Sequence, residues 1–213
     1  VNPFRVVRVI VALVAFVGLS GCVTGNILHM PGELARPDKK GPDQGAAGAP
    51  VVAVLDFTFA GAAPHEIGRD YDHAREIVWK GDPGKAMADL IAGVLGEKGV
   101  RAVRVSPGAP APADAGARVW GSVDAFRVDA RKKGTLRTTV EYSSTVSVTV
   151  HGSGGTAPAG WNSAVSSSYW TQDALVVTPD EVRDTVNGAA NAAAEETVRR
   201  LVAAGVIALP GGK

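Results

Sequence analysis

From Leu136 to His151 the chain alternates apolar and polar side chains, and this stretch limits the fold more than any other. Leu136, Thr138, Val140, Tyr142, Val146, Val148 and Val150 fall on one side, and Arg137, Glu141, Ser143, Thr145, Ser147 and Thr149 on the other. A period of two marks a strand with one dry face and one wet face, the pattern of an antiparallel sheet covered on one side. Turn signals bracket it: Arg131-Lys132-Lys133-Gly134 before, and the glycine-rich run from Gly152 to Gly160 after. Arg118 to Asp129 and Trp161 to Thr171 therefore read as its two partners in a meander.

The other elements follow from local signals. Val51 to Phe57 is a short apolar run rich in β-branched residues, as expected of a strand buried on both faces. Residues 60–81 read as a polar, irregular stretch around His65, Asp70, Asp72, His73 and Trp79. Asp82-Pro83 supplies an N-cap and a first-turn proline for a helix whose apolar stripe is Met87, Leu90, Ile91, Val94 and Leu95, with Gly99 ending it. Val100 to Val105 is a second short strand, and Ser106 to Gly116 a proline-bearing loop. Thr178-Pro179-Asp180-Glu181 has the form of a capping box and opens a long helix with Val182, Val186, Ala190, Ala193, Thr197 and Leu201 on one face. Gly188 inside that helix costs ~1 kcal/mol relative to alanine, which predicts a kink or a close packing contact there. The expected fold is α+β, in the order β-α-β-β-β-β-α. Its mixed sheet contains the meander and carries both helices on one face.

The N-terminus points to export. Arg5 and Arg8 precede an apolar run from Val9 to Leu19, shorter than the ~20 residues a spanning helix needs and of the length of a signal-peptide core. Leu19-Ser20-Gly21-Cys22 resembles a lipobox, which implies cleavage between Gly21 and Cys22 and lipidation of the Cys22 thiol. Cys22 is the chain's single cysteine, so no intramolecular disulfide can form. A signal peptide over 1–21 is expected, followed by a tether over 22–50 with Pro31, Pro37, Pro42 and Pro50. A single domain over 51–207 and a disordered tail over 208–213 complete the division. Several acyl chains on Cys22 (S-diacylglycerol and an N-acyl group such as palmitate) would anchor the protein stably to a membrane. Val1 in first position suggests an alternative start codon. Val23 is not the aspartate that retains enterobacterial lipoproteins at the inner membrane, and that resemblance implies the outer membrane, facing the periplasm. The competing interpretation is an ordinary signal peptide or a short anchor with an incidental cysteine.

Net charge is +1, and the two leader bases account for more than that excess, so the exported part is near neutral and no nucleic-acid partner is expected. No cofactor beyond the lipid and no metal is expected. His65, Asp70, Asp72, His73 and Glu76 crowd one segment, but at no zinc-ligand spacing, and a solvated loop accounts for them. Ser143, Ser144 and Ser166 to Ser168 lie on strands, without the G-x-S-x-G turn of a hydrolase nucleophile. Gly152, Gly154 and Gly155 are turn glycines and do not lead from a strand into a helix as a phosphate cradle would. Arg127, Arg131, Lys132, Lys133 and Arg137 gather bases at one hairpin tip, fit either to touch an anionic envelope polymer or lipid headgroups, or to deter edge pairing. Trp120, Trp161, Tyr169 and Trp170 lie on neighbouring strands, as core pairs or as an aromatic binding face.

The order of elements, from the strand, irregular stretch and helix ending in Gly99 through Val119-Trp120-Gly121-Ser122-Val123 to the helix containing Val186-Asn187-Gly188, resembles the YajG-like lipoproteins over about 51–205. Val52 to Phe57 and Gly121-Ser122-Val123 resemble, more distantly, the N-terminal-type domains of CsgG and TolB. The first resemblance implies an outer-membrane lipoprotein with no active site to carry over. The function expected is that of a non-catalytic, lipid-anchored envelope protein that binds an envelope protein or polymer. An accessory subunit of an outer-membrane secretion or assembly complex is the alternative, and an envelope hydrolase the second alternative.

Overall fold

The computed structural model describes residues 27–30, 32–35, 49–61, 65–70, 75–133, 139–174 and 179–210. Residues 1–21, expected as a signal peptide, Cys22, most of the stretch expected as a tether, Asp72, His73, Arg137, Thr178 and the last three residues lie outside the described residues. Nine strands form one mixed sheet: β1 (Ile27–Met30), β2 (Val51–Leu55), β3 (Thr58–Phe59), β4 (His65–Arg69), β5 (Glu76–Trp79), β6 (Arg101–Val105), β7 (Ala117–Lys133), β8 (Thr139–Gly154) and β9 (Asn162–Ala174). Two helices, α1 (Pro83–Glu97) and α2 (Pro179–Ala203), pack against it.

β7 organises the sheet. Along one edge it receives β2, β3 and β4 in succession, all parallel, at Ala117–Val119, Ser122–Val123 and Val128–Asp129. Along its other edge it pairs antiparallel with the whole of β8, which in turn pairs with β9. β6 flanks β2, and β5 and then β1 extend the sheet beyond β4. The α+β class, the antiparallel meander and the two helices agree with the sequence expectation.

The helix-covered face is the core. From β8 it takes Val140, Tyr142, Val146, Val148 and Val150, all buried as the alternation requires. Ser144 shares this dry face, where its hydroxyl donates to the Arg127 carbonyl at 3.1 Å. β7 reaches the same face with Val119 and Val123, then with Phe126 and Val128. The change of parity comes from a bulge: Val123 opposes Val148 and Ala125 opposes Ser147, leaving Asp124 with no residue opposite it. α1 starts as expected, with Asp82 Oδ1 accepting from the amides of Gly84 (2.8 Å) and Lys85 (3.2 Å). It ends in a Schellman motif, in which Gly99 at φ +79° lets Val100 N donate to Leu95 O. α2 lies on β8 and β9 and brings Val182, Val186, Ala189, Ala190, Ala193 and Leu201 into the core.

Two expectations differ from the structure. Within the stretch read as a tether, Ile27–Met30 forms β1 parallel to β5, and Met30 is fully buried. Beyond it, Ala35 N donates to Asn187 Oδ1 (3.2 Å) and Asn191 Nδ2 donates to Ala35 O (2.9 Å), which ties this segment to α2. A four-residue strand with three apolar side chains borrows its stability from a distant sheet edge, which a local reading of composition does not register. Residues 65–79, read as irregular, contain the β4–β5 hairpin, with Trp79 fully buried against Phe126 in an edge-to-face arrangement. Asp70 and Arg75 close that hairpin through a backbone bond (3.0 Å) and an ion pair (2.6 Å).

Candidate functional site: the open face of the meander

Because both helices pack on one side, odd-numbered β8 residues face the other way. They stand beside the β7 and β9 residues opposite them in register. Three-strand rows result: Trp120–His151–Asn162, Ser122–Thr149–Ala164, Ala125–Ser147–Ser166, Arg127–Thr145–Ser168 and Asp129–Ser143–Trp170, with Arg131 beside Glu141 beyond them. Small hydroxyl side chains fill the middle, and charges and aromatics stand at the ends.

The hydroxyls are engaged with one another. Ser147 Oγ and Ser166 Oγ lie 2.8 Å apart, and Thr145 Oγ1 and Ser168 Oγ 3.2 Å. The bulged Asp124 accepts from Ser122 (2.6 Å) and Thr149 (2.7 Å), which gathers the extra residue into the same polar surface. Ser147, Ser166 and Ser168 thus bond to hydroxyl neighbours, and Ser122 to the Asp124 carboxylate. His151 stacks on Trp120 at 5.7 Å with 12° between the rings, forming a flat aromatic ledge at one end. At the other end Lys133 pairs with Glu141, and Arg127 stands 4.0 Å from Asp129.

The residues singled out in the sequence are divided by the fold. Arg131 and Lys133 join the open face, opposite Glu141 and Thr139, while Lys132 is opposite Val140 and belongs to the other face at the exposed tip. Trp170 stands on the open face and is 63% exposed. Its neighbour Tyr169 is on the helix side, against Gly188 of α2, and Trp161 is partly buried against the core. The three aromatics therefore do not form one cluster. Asp124, Ser147 and Ser166 are the open-face residues that sequence reasoning did not single out as binding candidates.

In the 65–79 hairpin the titratable groups go to separate partners. Arg69 spans Glu66 (2.9 Å) and Glu76 (3.4 Å), and the hydrogen bond and charge of Glu66 raise its guanidinium pKa further above the ordinary value. His65 meets the Phe59 ring edge-on at 5.1 Å, and buried Asp70 accepts from Tyr142 Oη at 3.0 Å. Among the described residues no three His, Cys, Asp or Glu side chains gather as a metal would need. A groove of about 650 Å³ between the helices is lined by Val94, Lys98, Ala192, Glu195, Arg199 and Leu209 among others. No helix among the described residues is long and apolar enough to cross a membrane.

No protein-family model matches the chain, so the YajG-like likeness has no counterpart there, and no curated protein matches it. Among solved structures it is similar to a protein from Xanthomonas campestris assigned to the family DUF330, with 10% identity, covering 84% of this chain and 96% of that one at a TM-score of 0.42. It is similar to a minor lipoprotein from Acinetobacter baumannii, with 12% identity, 72% and 90% covered and a TM-score of 0.38. It is also similar to PelC from Paraburkholderia phytofirmans, solved as a dodecamer, with 15% identity, 73% and 91% covered and a TM-score of 0.37.

Proposed function

We propose that the chain is a non-catalytic envelope lipoprotein, anchored through acylated Cys22, whose domain binds another envelope protein or polymer on the open face of β7, β8 and β9. The observation that carries the binding half is the asymmetry of the sheet. One face is sealed by α1 and α2, while the other presents rows of hydroxyls flanked by Arg127, Arg131, Trp120 and Trp170. Such a face offers many shallow polar contacts with aromatic anchors at its margins, suited to an extended partner more than to a small buried substrate. Support for the anchoring half is the Leu19-Ser20-Gly21-Cys22 sequence behind its apolar run. Val23 favours the outer membrane as the destination.

Metabolic labelling with an alkyne fatty acid tests the anchor: the wild-type chain takes up label and Cys22→Ala does not, and equal labelling of both would refute it. Photo-crosslinking in cells from position 147, at the centre of the open face, should capture an envelope component that position 93 on α1 does not. Identical adducts from both positions would remove the open face as the binding surface.

A further inference from the structure

The sheet has an outer edge at β9, and its chemistry differs from that of the other margins. β9 is 13 residues long, whereas β1 has four and β6 five, with Arg101 and Arg104 in β6. From Asn162 to Gln172 it carries no charged residue and no proline, the usual means by which an edge strand is kept from pairing. Among the described residues no strand pairs with this outer edge.

The backbone direction along that edge is fixed. Gly152 N donates to Trp161 O, so odd-numbered β9 residues exchange bonds with β8 and even-numbered ones point their N–H and C=O groups outward. The outward carbonyl of Ala164 confirms this, because it accepts from Arg200 Nη1 at 2.6 Å. Arg200 also donates to Ser163 Oγ at 2.9 Å, so α2 closes the edge at that end. The outward groups of Ser166, Ser168, Trp170 and Gln172 follow it.

We infer that a second copy of this chain pairs antiparallel with β9 through Ser166–Gln172, about a two-fold axis near Tyr169, to make one sheet continuous across two protomers. The strand suits itself. An antiparallel repeat sets Ser168 beside Trp170 of the copy, and no residue from Ser166 to Trp170 carries a charge to be opposed. Trp170, the most exposed large hydrophobic side chain among the described residues, gains cover from the copy's serine row. Hydroxyl ladders running across β8 and β9 continue over the junction. The interface is isologous, and therefore closes at two copies.

The test uses the full chain in mild detergent with Cys22→Ala, so that each added cysteine is the only thiol and the result does not depend on the anchor. Single cysteines at 164, 168 and 170 are treated with a short bis-maleimide. Pairing about Tyr169 places 168 and 170 each about 8 Å from their counterparts and 164 roughly 34 Å from its own, at ~3.4 Å per residue along the strand and ~4.8 Å between strands. Strong dimer bands are expected at 168 and 170, with none at 164 or at Ser153→Cys on β8. Native mass spectrometry should give a dimer, and Ser168→Pro a folded monomer by circular dichroism, since the Ser168 N–H points outward and the proline removes no bond to β8. Ser168→Lys serves the same purpose if the proline variant does not fold. A monomer, a larger ring, or a dimer that crosslinks equally at 153 or 164 would overturn the inference, the first outcome also being the one expected if a different protein supplies the strand.

Discussion

Gly188 of α2 lies so close to Tyr169 of β9 that a Cβ at that position would sit 2.4 Å from the ring carbon Cγ. The helix carries this glycine because its backbone rests on an aromatic ring, which is the close packing its sequence position suggested. Gly188→Ala gains helix propensity but must push the ring root aside. A net loss of about 1–3 kcal/mol is expected, typical of overpacking. Urea denaturation followed by circular dichroism measures it, and a stabilised variant would contradict the geometry.

Tyr142 carries its hydroxyl through the core to Asp70, which is 2% exposed and also ion-paired with Arg75. Tyr142→Phe keeps the ring and removes this bond to a buried carboxylate. The expected cost is about 1–2 kcal/mol, since the Arg75 ion pair remains. Backbone amides of the 65–79 hairpin should exchange faster in the variant, whereas those of β9 should not.

Arg104 of β6 binds three acceptors at once: Asp89 on α1 at 2.6 Å, the Val54 carbonyl of β2 at 2.7 Å, and Asp56 just beyond β2. It is only a quarter exposed, while Asp89 is about half exposed and can be rehydrated. Arg104→Met is expected to lose about 1–2 kcal/mol by thermal or urea unfolding. Arg104→Lys should recover only part of this, because the three donors of an ammonium share one nitrogen and cannot span acceptors met by Nε, Nη1 and Nη2 separately.

Glu196 of α2 accepts from Arg200 and Arg199, and those hydrogen bonds, Arg200 first, hold its carboxyl below the ordinary value of 4.5. A depressed folded pKa means that the contribution is complete at neutral pH and disappears as pH falls through the carboxylate range. Glu196→Gln should therefore lower Tm most at pH 7, with the gap to wild type narrowing towards pH 3. A gap that widens in acid would be the wrong sign.

The long strand, both helices and the caps at Asp82 and Gly99 were legible because each is encoded in a local pattern. β1 was not, since Ile27–Met30 is held by its pairing with β5 and by burial of Met30 in the core, and carries no periodicity of its own. The β4–β5 hairpin was hidden for a related reason: its closure depends on Asp70, Arg75 and a tyrosine from β8, an arrangement that exists only after folding. In the candidate site, the alternation of β8 correctly foretold the hydroxyl face. Grouping Tyr169 with Trp170 overlooked the same period of two, which sends adjacent residues to opposite faces. The bulge at Asp124 left no mark in the sequence, so the face of each residue on the far half of β7 could not be read by counting from its start.

β7 is where three strand groups meet: β2 with β6, β4 with β5 and β1, and β8 with β9. Among the described residues, no strand of one group pairs with a strand of another except through it. As the chain emerges from its N-terminus, everything ahead of residue 117 must wait as separate pieces until this one strand arrives. Assembly is consequently delayed and then abrupt, with most sequence-distant pairings forming in a single late event. A polypeptide organised this way remains open for much of its synthesis, which suits threading through a narrow conduit before it acquires a shape.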